Sequence, residues 1–270
     1  MPDVSFVVPT RNSSRTLRRC LESIRDQTGG GVECIVVDNH STDGTLETAQ
    51  LLADKALVGG PERSAQRNLG AGEASGQILV FIDSDMILAP TIASELRELF
   101  KSNDIHAAII PERVVGTGFW DRCRSLEKQA YVGDENVEAA RAFRRTTFDF
   151  VGGYDESLTG PEDWDLPDRI RAEGLAIGRI DSFVDHDESD IGLREAFRKK
   201  RYYGRAFRRF LGRPHAGKGR RFLRLSLLRL VPMLFLDPIH TLGLLLLKGT
   251  ELAGLVLGLL EARRRNDNIY

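Results

Sequence analysis

Two aspartates separated by one residue, Asp83 and Asp85, follow a run of five apolar residues, 78–82. Carboxylates this close at a strand end repel each other, and a shared divalent cation relieves that repulsion. A hard cation held by one or two carboxylates and by phosphate oxygens is a common means of neutralising a diphosphate leaving group. Taken alone, the pair could equally be an acidic turn that caps the next helix. The apolar strand before it favours a cation site.

Two other predicted strands also end in polar residues, Pro9-Thr-Arg-Asn12 and Asp38-Asn-His-Ser-Thr-Asp43. Ligands of open parallel sheets bind at the carboxyl ends of the strands, which makes this edge the candidate site. Asp38 could accept hydrogen bonds from a base or a ribose, or it could cap a turn. Arg67, on the helix before the fourth strand, could reach a diphosphate, or it could be a surface arginine.

Two more titratable residues lie further along the chain. Asp163, within Glu162-Asp-Trp-Asp165 at a predicted helix start, could act as a general base for a hydroxyl, or it could be an ordinary first-turn acid. His186 lies among acidic neighbours after a predicted strand and could bind a divalent metal, although a lone surface histidine is the commoner case.

Alternating strands and helices must position these residues. Apolar runs predict strands at 4–8, 34–37, 56–58, 78–82 and 106–110, and the first intervening helix is started by Asn12, Ser13 or Ser14. Apolar rather than alternating strands indicate a parallel sheet covered on both faces, and therefore an α/β fold. In the less regular second half, residues 148–151 are predicted as a strand that runs into a Gly-Gly turn, and a helix follows from about 160 to Ala172.

Composition excludes several classes of protein. A chain of 270 residues with 41% hydrophobic and 29% charged residues can bury a proper core and is neither collagen-like nor disordered. Three cysteines are too few for a disulfide framework, and they predict a reduced, cytosolic compartment. The first residues lack the basic and apolar regions of a signal peptide.

The charge is distributed unevenly. Residues 194–229 contain fourteen Lys or Arg and one acid, whereas the rest of the chain has a net charge of −14. Such a block favours a polyanionic partner, namely nucleic acid, anionic lipid or a phosphorylated substrate. The leucine-rich segment 239–262 that follows reaches spanning length only by including Lys248 and Glu251, which could pair at i, i+3. We expect helices that lie on a membrane, broken at Pro232 and Pro238, rather than a true span.

Together these residues resemble the inverting nucleotide-sugar glycosyltransferases of family 2. Seven short motifs occur in the order found in that family, over about residues 3–190. They are Val7-Val-Pro-Thr-Arg-Asn12, Val36-Val-Asp-Asn-His-Ser-Thr-Asp-Gly44, Arg67-Asn-Leu-Gly-Ala-Gly72, Phe81-Ile-Asp-Ser-Asp85, Val151-Gly-Gly-Tyr-Asp-Glu156, Glu162-Asp-Trp-Asp-Leu166 and Val184-Asp-His186.

The resemblance implies a GT-A fold, a Rossmann-like mixed sheet flanked by helices, with a C-terminal basic, leucine-rich helical extension. The catalytic domain would cover 1–192, with a nucleotide-binding half at about 1–110 and an acceptor half at about 111–192. A basic, amphipathic, membrane-associating helical region would cover 193–270.

It also implies roles for the matching residues. The nucleotide-sugar pocket would be lined by Pro9, Thr10, Arg11, Asn12, Asp38, Ser41, Arg67, Asp83 and Ser84. Mg²⁺ or Mn²⁺ would be bound by Asp83, Asp85 and His186. The acceptor side would include Gly153, Tyr154, Glu162 and Trp164, and Asp163 would be the general base.

The implied reaction is a single in-line displacement that inverts the anomeric carbon of a UDP- or GDP-linked sugar. Many members carry a Q-x-x-R-W-type motif typical of polysaccharide synthases, and its absence from this sequence predicts the addition of one sugar. The basic block predicts peripheral or monotopic attachment at the cytoplasmic face of the membrane. It favours a lipid-linked acceptor, such as a polyprenyl-(di)phosphate glycan, or it could serve only as an anchor. No nucleic-acid partner is expected, because a leucine-rich segment adjoins the cations.

Two alternatives remain open. A sugar nucleotidyltransferase normally has a Gly-rich phosphate loop after the first strand, where this chain has Pro-Thr-Arg-Asn. A catalytically inactive, membrane-bound nucleotide-sugar-binding protein would not need Asp85 and Asp163, which are both present.

Overall fold

Seven strands form the main sheet of the computed structural model, which describes residues 2–135, 137–188, 191–214 and 231–267. The strands of the chain are β1 (Val4–Thr10), β2 (Val32–Asp38), β3 (Lys55–Val58), β4 (Ile78–Phe81), β5 (Met86–Leu88), β6 (Ile105–Ile109), β7 (Glu112–Val114), β8 (Ala140–Arg144), β9 (Ala176–Arg179) and β10 (Val184–His186). The five strands predicted from apolar runs are confirmed as β1, β2, β3, β4 and β6.

The helices lie mainly between these strands. They are α1 (Leu17–Arg25), α2 (Thr45–Leu52), α3 (Arg63–Glu73), α4 (Ile92–Leu99), α5 (Phe119–Tyr131), α6 (Arg145–Phe150), α7 (Glu162–Ala172), α8 (Leu193–Leu211), α9 (Met233–Leu236) and α10 (Pro238–Asp267). Helix α1 begins after the polar residues predicted to start it, because the chain from Ser13 to Thr16 forms a separate turn with a Thr16 N–H to Ser13 carbonyl bond.

The main sheet is mixed, in the order β3-β2-β1-β4-β8-β6-β9. Strands β1 to β4 are mutually parallel, whereas β8 runs antiparallel to both β4 and β6. A small second sheet has the order β5-β10-β7. The mixed α/β fold is therefore confirmed. The parallel arrangement indicated by the apolar strands holds for β1 to β4 but not for β8. Strand–helix alternation is interrupted where β5 follows β4 directly and again where β7 follows β6, so it gives no information about the direction of β8.

The sheet is buried on both faces, as its apolar strands predict. In β1, Phe6 and Val8 pack into one core with α1 and α4, while Val7 points into the opposite core. The second core contains four interlocked aromatic rings, Phe81, Phe143, Phe148 and Tyr154, with Phe81 5.0 Å from Tyr154 between ring centroids. The strands are thus held by packed side chains on both faces of the sheet.

Residues 148–150 are helical, which makes the predicted strand there wrong. Helix α6 follows β8 directly and includes Phe148 and Phe150. The Arg145 guanidinium donates to the carbonyls of Ala71, Ala74 and Gly76, so the chain is tied down where the strand ends. Phe148 enters the aromatic core from one face of α6, and Phe150 is exposed, so the apolar pair does not mark a strand.

Helix α3 approaches β1 closely at Gly70, which gives a stability prediction. A Cβ on Gly70 would lie 2.4 Å from Val7 Cγ1, whereas one on Gly72 would meet no atom within 4 Å. We expect Gly70→Ala to lower the free energy of unfolding by about 1–3 kcal/mol through overpacking. Gly72→Ala, the matched control, should be neutral or stabilising by up to about 1 kcal/mol. Equal denaturation midpoints for the two variants would contradict this packing.

The chain divides into two compact units. The first comprises Met1–Glu112, Ala139–Glu156 and Glu162–Asp187, and the second comprises Arg113–Glu138, Ser157–Pro161 and Glu188–Tyr270. The first unit contains the main sheet. In the second unit α10 packs against α5 and α8. Within the part of the chain that is described, one helix segment, Pro238–Ala262, is long and apolar enough to cross a membrane.

Candidate active site

A buried arginine connects two of the predicted acidic site residues. Arg67 on α3 is fully buried, and its Nη1 donates to Asp163 Oδ1 at 2.7 Å while its Nη2 donates to Asp83 Oδ1 at 2.8 Å. Its guanidinium also lies over the Tyr154 ring, 5.0 Å from the centroid. Burial alone lowers the pKa of Arg67, but the two carboxylates raise it well above its ordinary value. Arg67 is therefore a permanent cation, not the surface arginine of the alternative interpretation.

Asp83 is paired through both of its oxygens. Oδ2 lies 3.5 Å from Arg141 Nη1, opposite the contact of Oδ1 with Arg67. Burial raises the pKa of Asp83, and the charges of Arg67 and Arg141 outweigh this effect, so its pKa lies well below its usual range. Asp83 stays ionised between two guanidinium groups.

Asp85 and His186 meet because β5 and β10 pair. The antiparallel register sets His186 opposite Met86, and His186 Nε2 lies 3.3 Å from Asp85 Oδ1. On its other side, His186 Nδ1 lies 3.5 Å from Glu112 Oε2. Burial lowers the pKa of His186, but the carboxylates of Asp85 and Glu112 raise it to about 10.

Charged side chains thus form a continuous series across the strand ends. Glu112 accepts hydrogen bonds from Arg141, which also contacts Asp83, so the series is Asp163, Arg67, Asp83, Arg141, Glu112, His186 and Asp85. The structure brings the predicted base and the predicted metal ligands into one network.

Arg141 and Glu112 belong to the charged series but were not predicted as site residues. Arg141 lies inside the strand run Ala140–Arg144, where a charged residue between buried neighbours is a detectable signal. Glu112 follows an apolar strand and a proline, and no pattern distinguishes it from an edge residue.

The donor set fits a divalent cation in part. Among the residues that are described, no three His, Cys, Asp or Glu side chains converge as a ready-made cage. Asp85 Oδ1 is buried and accepts no well-formed hydrogen bond from them, so it is available as an oxygen ligand beside His186. Two protein ligands with phosphate oxygens completing the shell suit Mg²⁺ or Mn²⁺. Asp83, engaged at both oxygens, fits less well as a direct ligand.

Asp163 lies in the first turn of α7 with its side chain a quarter exposed. The preceding Glu162, predicted on the acceptor side, is buried and pairs with Arg63 at 2.9 Å. Burial and the nearby Asp163 raise the pKa of Glu162, against the opposing charges of Arg63 and Arg67. Of the two adjacent acids, only Asp163 combines an ion pair inside the site with access to solvent.

The residues predicted for the nucleotide pocket gather around the ends of β1 and β2. The Ser41 N–H donates to Asp38 at 2.8 Å, and the Asn12 N–H donates to Ser41 Oγ at 2.8 Å. Asp38 thus holds the loop after β2, as the turn-capping alternative had it, and its side chain is almost fully buried. Asn12 adopts a left-handed backbone conformation with φ 50°.

The remaining pocket residues lie nearby in sequence and space. Pro9 pairs with Val37 across β1 and β2, and Thr10 is buried at the end of β1 with no hydrogen-bond partner for its hydroxyl among the described residues. Arg11 is exposed. Ser84 Oγ donates to Ser13 Oγ at 2.9 Å.

The predicted acceptor turn is held by Asn68. Its amide donates to the Tyr154 carbonyl and accepts from the Tyr154 N–H, both at 2.9 Å. Gly153 has φ 64°, a conformation that favours glycine, and Trp164 is half-buried in the first turn of α7. Asn68 on α3 therefore positions the turn one residue away from the arginine that holds Asp163.

Comparisons with known proteins give the family and the fold that the chain is similar to. The sequence profile described as "Glycosyl transferase family 2" matches residues 5–154. The chain is 35% identical over 115 residues to the succinoglycan biosynthesis protein ExoO of Rhizobium meliloti, covering 41% of this chain and 32% of that protein. It is 29% identical over 208 residues to a PGL/p-HBAD biosynthesis glycosyltransferase of Mycobacterium bovis, covering 71% of this chain and 78% of that protein. The match spans about a third of the length of relatives such as ExoO.

Among solved structures, a mannosyltransferase from Pyrobaculum calidifontis in complex with GDP-Man and Mn²⁺ superposes with a TM-score of 0.66. The two sequences are 18% identical, and the match covers 96% of this chain and 87% of that one. Glucosyl-3-phosphoglycerate synthase from Mycobacterium tuberculosis, solved with Mn²⁺ and UDP, superposes with a TM-score of 0.55 at 20% identity, over 76% of this chain and 78% of that one.

Proposed function

Because this chain belongs to glycosyl transferase family 2 and has the GT-A fold, we propose that it moves one sugar from a nucleoside-diphosphate sugar to an acceptor hydroxyl, with inversion at the anomeric carbon. The observation that carries the proposal is the bridge from Arg67 to Asp163 and Asp83. Arg67 thus joins a carboxylate suited to proton abstraction, Asp163, to the acidic end of β4, where a divalent cation could hold a diphosphate.

Asp163 is the general base in this proposal. Its Oδ1 is held by Arg67, and its side chain is partly accessible, so the carboxylate is oriented and can still receive a proton from an acceptor hydroxyl. The hydroxyl oxygen then attacks the anomeric carbon from the face opposite the departing diphosphate. No covalent intermediate with the enzyme is required.

Asp85 and His186 would hold the divalent cation, supported by the buried Asp85 oxygen that accepts no hydrogen bond from the described residues and by the 3.3 Å separation of the two side chains. Because the raised pKa of His186 keeps the imidazole protonated before metal binds, the cation would displace that proton. When bound, the cation supplies positive charge that neutralises the leaving diphosphate. Asp83 keeps Arg67 and Arg141 beside that charge, and both guanidinium groups stabilise negative charge in a site largely shielded from water.

The donor would bind along the ends of β1 and β2. Thr10 offers a buried hydroxyl with no hydrogen-bond partner among the described residues, and the Asp38–Ser41–Asn12 loop offers backbone groups fixed by its own hydrogen bonds. Complexes of the structural relatives with GDP-Man or with UDP support a UDP- or GDP-linked sugar. The Asn68-anchored turn and Trp164 would face the acceptor.

The acceptor is proposed to be lipid-linked, such as a polyprenyl-(di)phosphate glycan, with the protein at the cytoplasmic face of the membrane. Support comes from the basic helix α8, whose exposed cations are Arg194, Arg198, Lys199, Arg205, Arg208 and Arg209. Lys and Arg near an anionic leaflet each contribute about 1 kcal/mol of attraction. Residues 215–229 of the basic block lie outside the described residues.

Donor binding gives the direct test. With Mn²⁺ present, UDP or GDP at about 100 times its dissociation constant should stabilise the protein by about 2.7 kcal/mol. That corresponds to a melting temperature about 5–10 °C higher for a domain of this size. A chelator should abolish the shift, and uridine or guanosine should produce none. Absence of any shift with both diphosphates, or release of pyrophosphate from a nucleoside triphosphate and a sugar phosphate, would contradict the proposal.

A further inference from the structure

Helix α10 has one exposed side and one side packed against the rest of the second unit. One face is exposed and almost entirely apolar, with Ile239, Leu242, Leu245, Leu246, Leu252, Val256, Leu257 and Leu260 at helical spacing. The short helix α9 before it extends the surface through Leu234, Phe235 and Leu236, and Phe235 is 84% exposed. We call these eleven residues the apolar face. An uninterrupted exposed surface of this kind is characteristic of an interaction site.

Three charged side chains described in α10, Lys248, Glu251 and Glu261, lie on the other side, against the rest of the second unit. Lys248 Nζ pairs with Glu127 of α5 at 2.7 Å and also with Glu251. Glu261 accepts hydrogen bonds from Arg201 and Arg205 of α8. The charges that interrupt the leucine-rich sequence are therefore satisfied inside the protein and do not interrupt the apolar face.

We propose that the apolar face docks on an anionic bilayer with α10 lying in the plane of the membrane, immersed on one side only and not spanning it. This inference deepens the membrane association of the proposed function. A helix with one wide apolar face and a polar, cation-rich surrounding is the typical form of an interfacial helix.

The packing of α8 argues against a spanning orientation. The two helices touch through glycines, since a Cβ on Gly254 would lie 2.5 Å from the Phe197 carbonyl, and one on Gly204 would lie 2.5 Å from the Leu255 carbonyl. Helix α8 therefore stays packed against α10 in any orientation of α10 in the membrane. The segment Pro238–Ala262 is long enough to cross a bilayer by itself, but a span would immerse the exposed Arg198, Lys199 and Arg205 in hydrocarbon.

An in-plane position avoids that cost and uses the same cations. With the apolar face in the acyl boundary, the basic residues of α8 stay at the level of the headgroups, where anionic lipid attracts them. The combination of a continuous apolar surface and a dense positive charge on the adjoining helix favours a bilayer over a second protein as the occupant.

The first experiment is sedimentation of the full chain with vesicles of equal parts phosphatidylcholine and phosphatidylglycerol. The double variant Leu245→Glu/Leu252→Glu should bind these vesicles at least about tenfold more weakly. The control is Leu51→Glu, because Leu51 is a still more exposed leucine, on α2, and its replacement should leave binding unchanged. Equal binding by the double variant, or a stable dimer in the absence of vesicles that the double variant dissociates, would overturn the proposal.

The second experiment measures how deeply three positions of α10 lie in the bilayer. Nitroxide labels on Leu242→Cys, Gly249→Cys and Val256→Cys sample one face of α10, and the native Cys20, Cys34 and Cys123 are buried. An in-plane helix should place all three labels at the same shallow depth. A span would place the middle label about 10 Å deeper than the other two, and that result would refute the orientation.

Transfer to a water-soluble acceptor analogue should be unaffected by Leu245→Glu/Leu252→Glu, so failure of docking is distinguishable from failure of the transferase proposal.

Discussion

Replacing Asp163 by Asn should lower kcat by about 10²–10⁴-fold, the usual contribution of a positioned general base. The amide is nearly isosteric with the carboxylate and can still accept a hydrogen bond from Arg67, but it cannot take up the hydroxyl proton. The affinity for nucleoside diphosphate should change little, because the donor groups lie at the other strand ends. Release of nucleoside diphosphate in the presence of acceptor, together with a separate binding titration, measures both quantities.

Asp168→Asn is the matched control for this variant. Asp168 lies on the same helix α7 and pairs with Arg171 at 3.5 Å, outside the charged series. The same change of acid to amide should leave kcat within a few-fold of the parent. If Asp163→Asn retained full turnover, another residue would be the base. An equal loss in both variants would indicate damage to α7 instead.

Replacing Arg67 by Met should have the second large effect, on stability as well as on activity. Removing one partner from a buried ion pair typically costs about 3–5 kcal/mol, because the remaining charge stays buried without compensation. Asp83 would keep Arg141 as a partner, but Asp163 would lose the hydrogen bond that orients it. Denaturant unfolding should therefore show a lower midpoint, and the folded fraction should turn over substrate far more slowly.

Arg97→Met supplies the comparison for Arg67. Arg97 forms a bidentate pair with Asp3 near the surface, where the Asp3 side chain is half exposed and such pairs contribute about 1 kcal/mol or less. The double variant Arg67→Met/Asp83→Asn should recover part of the lost stability. Together with the single variants Arg67→Met and Asp83→Asn it gives the coupling energy between the two residues. Additive effects, with no coupling, would show that the buried contact is not a strong one.

The strand ends and their acidic residues could be predicted from the sequence because they depend on local patterns. An apolar run followed by Asp83 and Asp85 marks a strand end without any knowledge of the rest of the chain, and family membership and the mixed α/β fold are confirmed. The assignments of individual site residues remain predictions that the proposed variants test.

The links between these residues depend on contacts far apart in sequence. Arg67 and Asp163 are 96 positions apart, and no pattern along the chain records that one guanidinium binds both Asp163 and Asp83. Likewise, the i, i+3 spacing of Lys248 and Glu251 predicts their pairing, which is observed, whereas the part played by Glu127 requires α5 and α10 to be packed together.

The loop after β2 has a consequence for the diversity of such enzymes. Its Ser41 N–H bonds Asp38 within the loop, its Ser41 hydroxyl accepts from Asn12 in the loop after β1, and neither bond involves the charged series centred on Arg67. The part of the nucleotide pocket formed by this loop can therefore be exchanged, together with Asn12, without rearranging Arg67 and Asp163. We expect swaps of this loop to retune donor preference while the chemical step proceeds at its original rate.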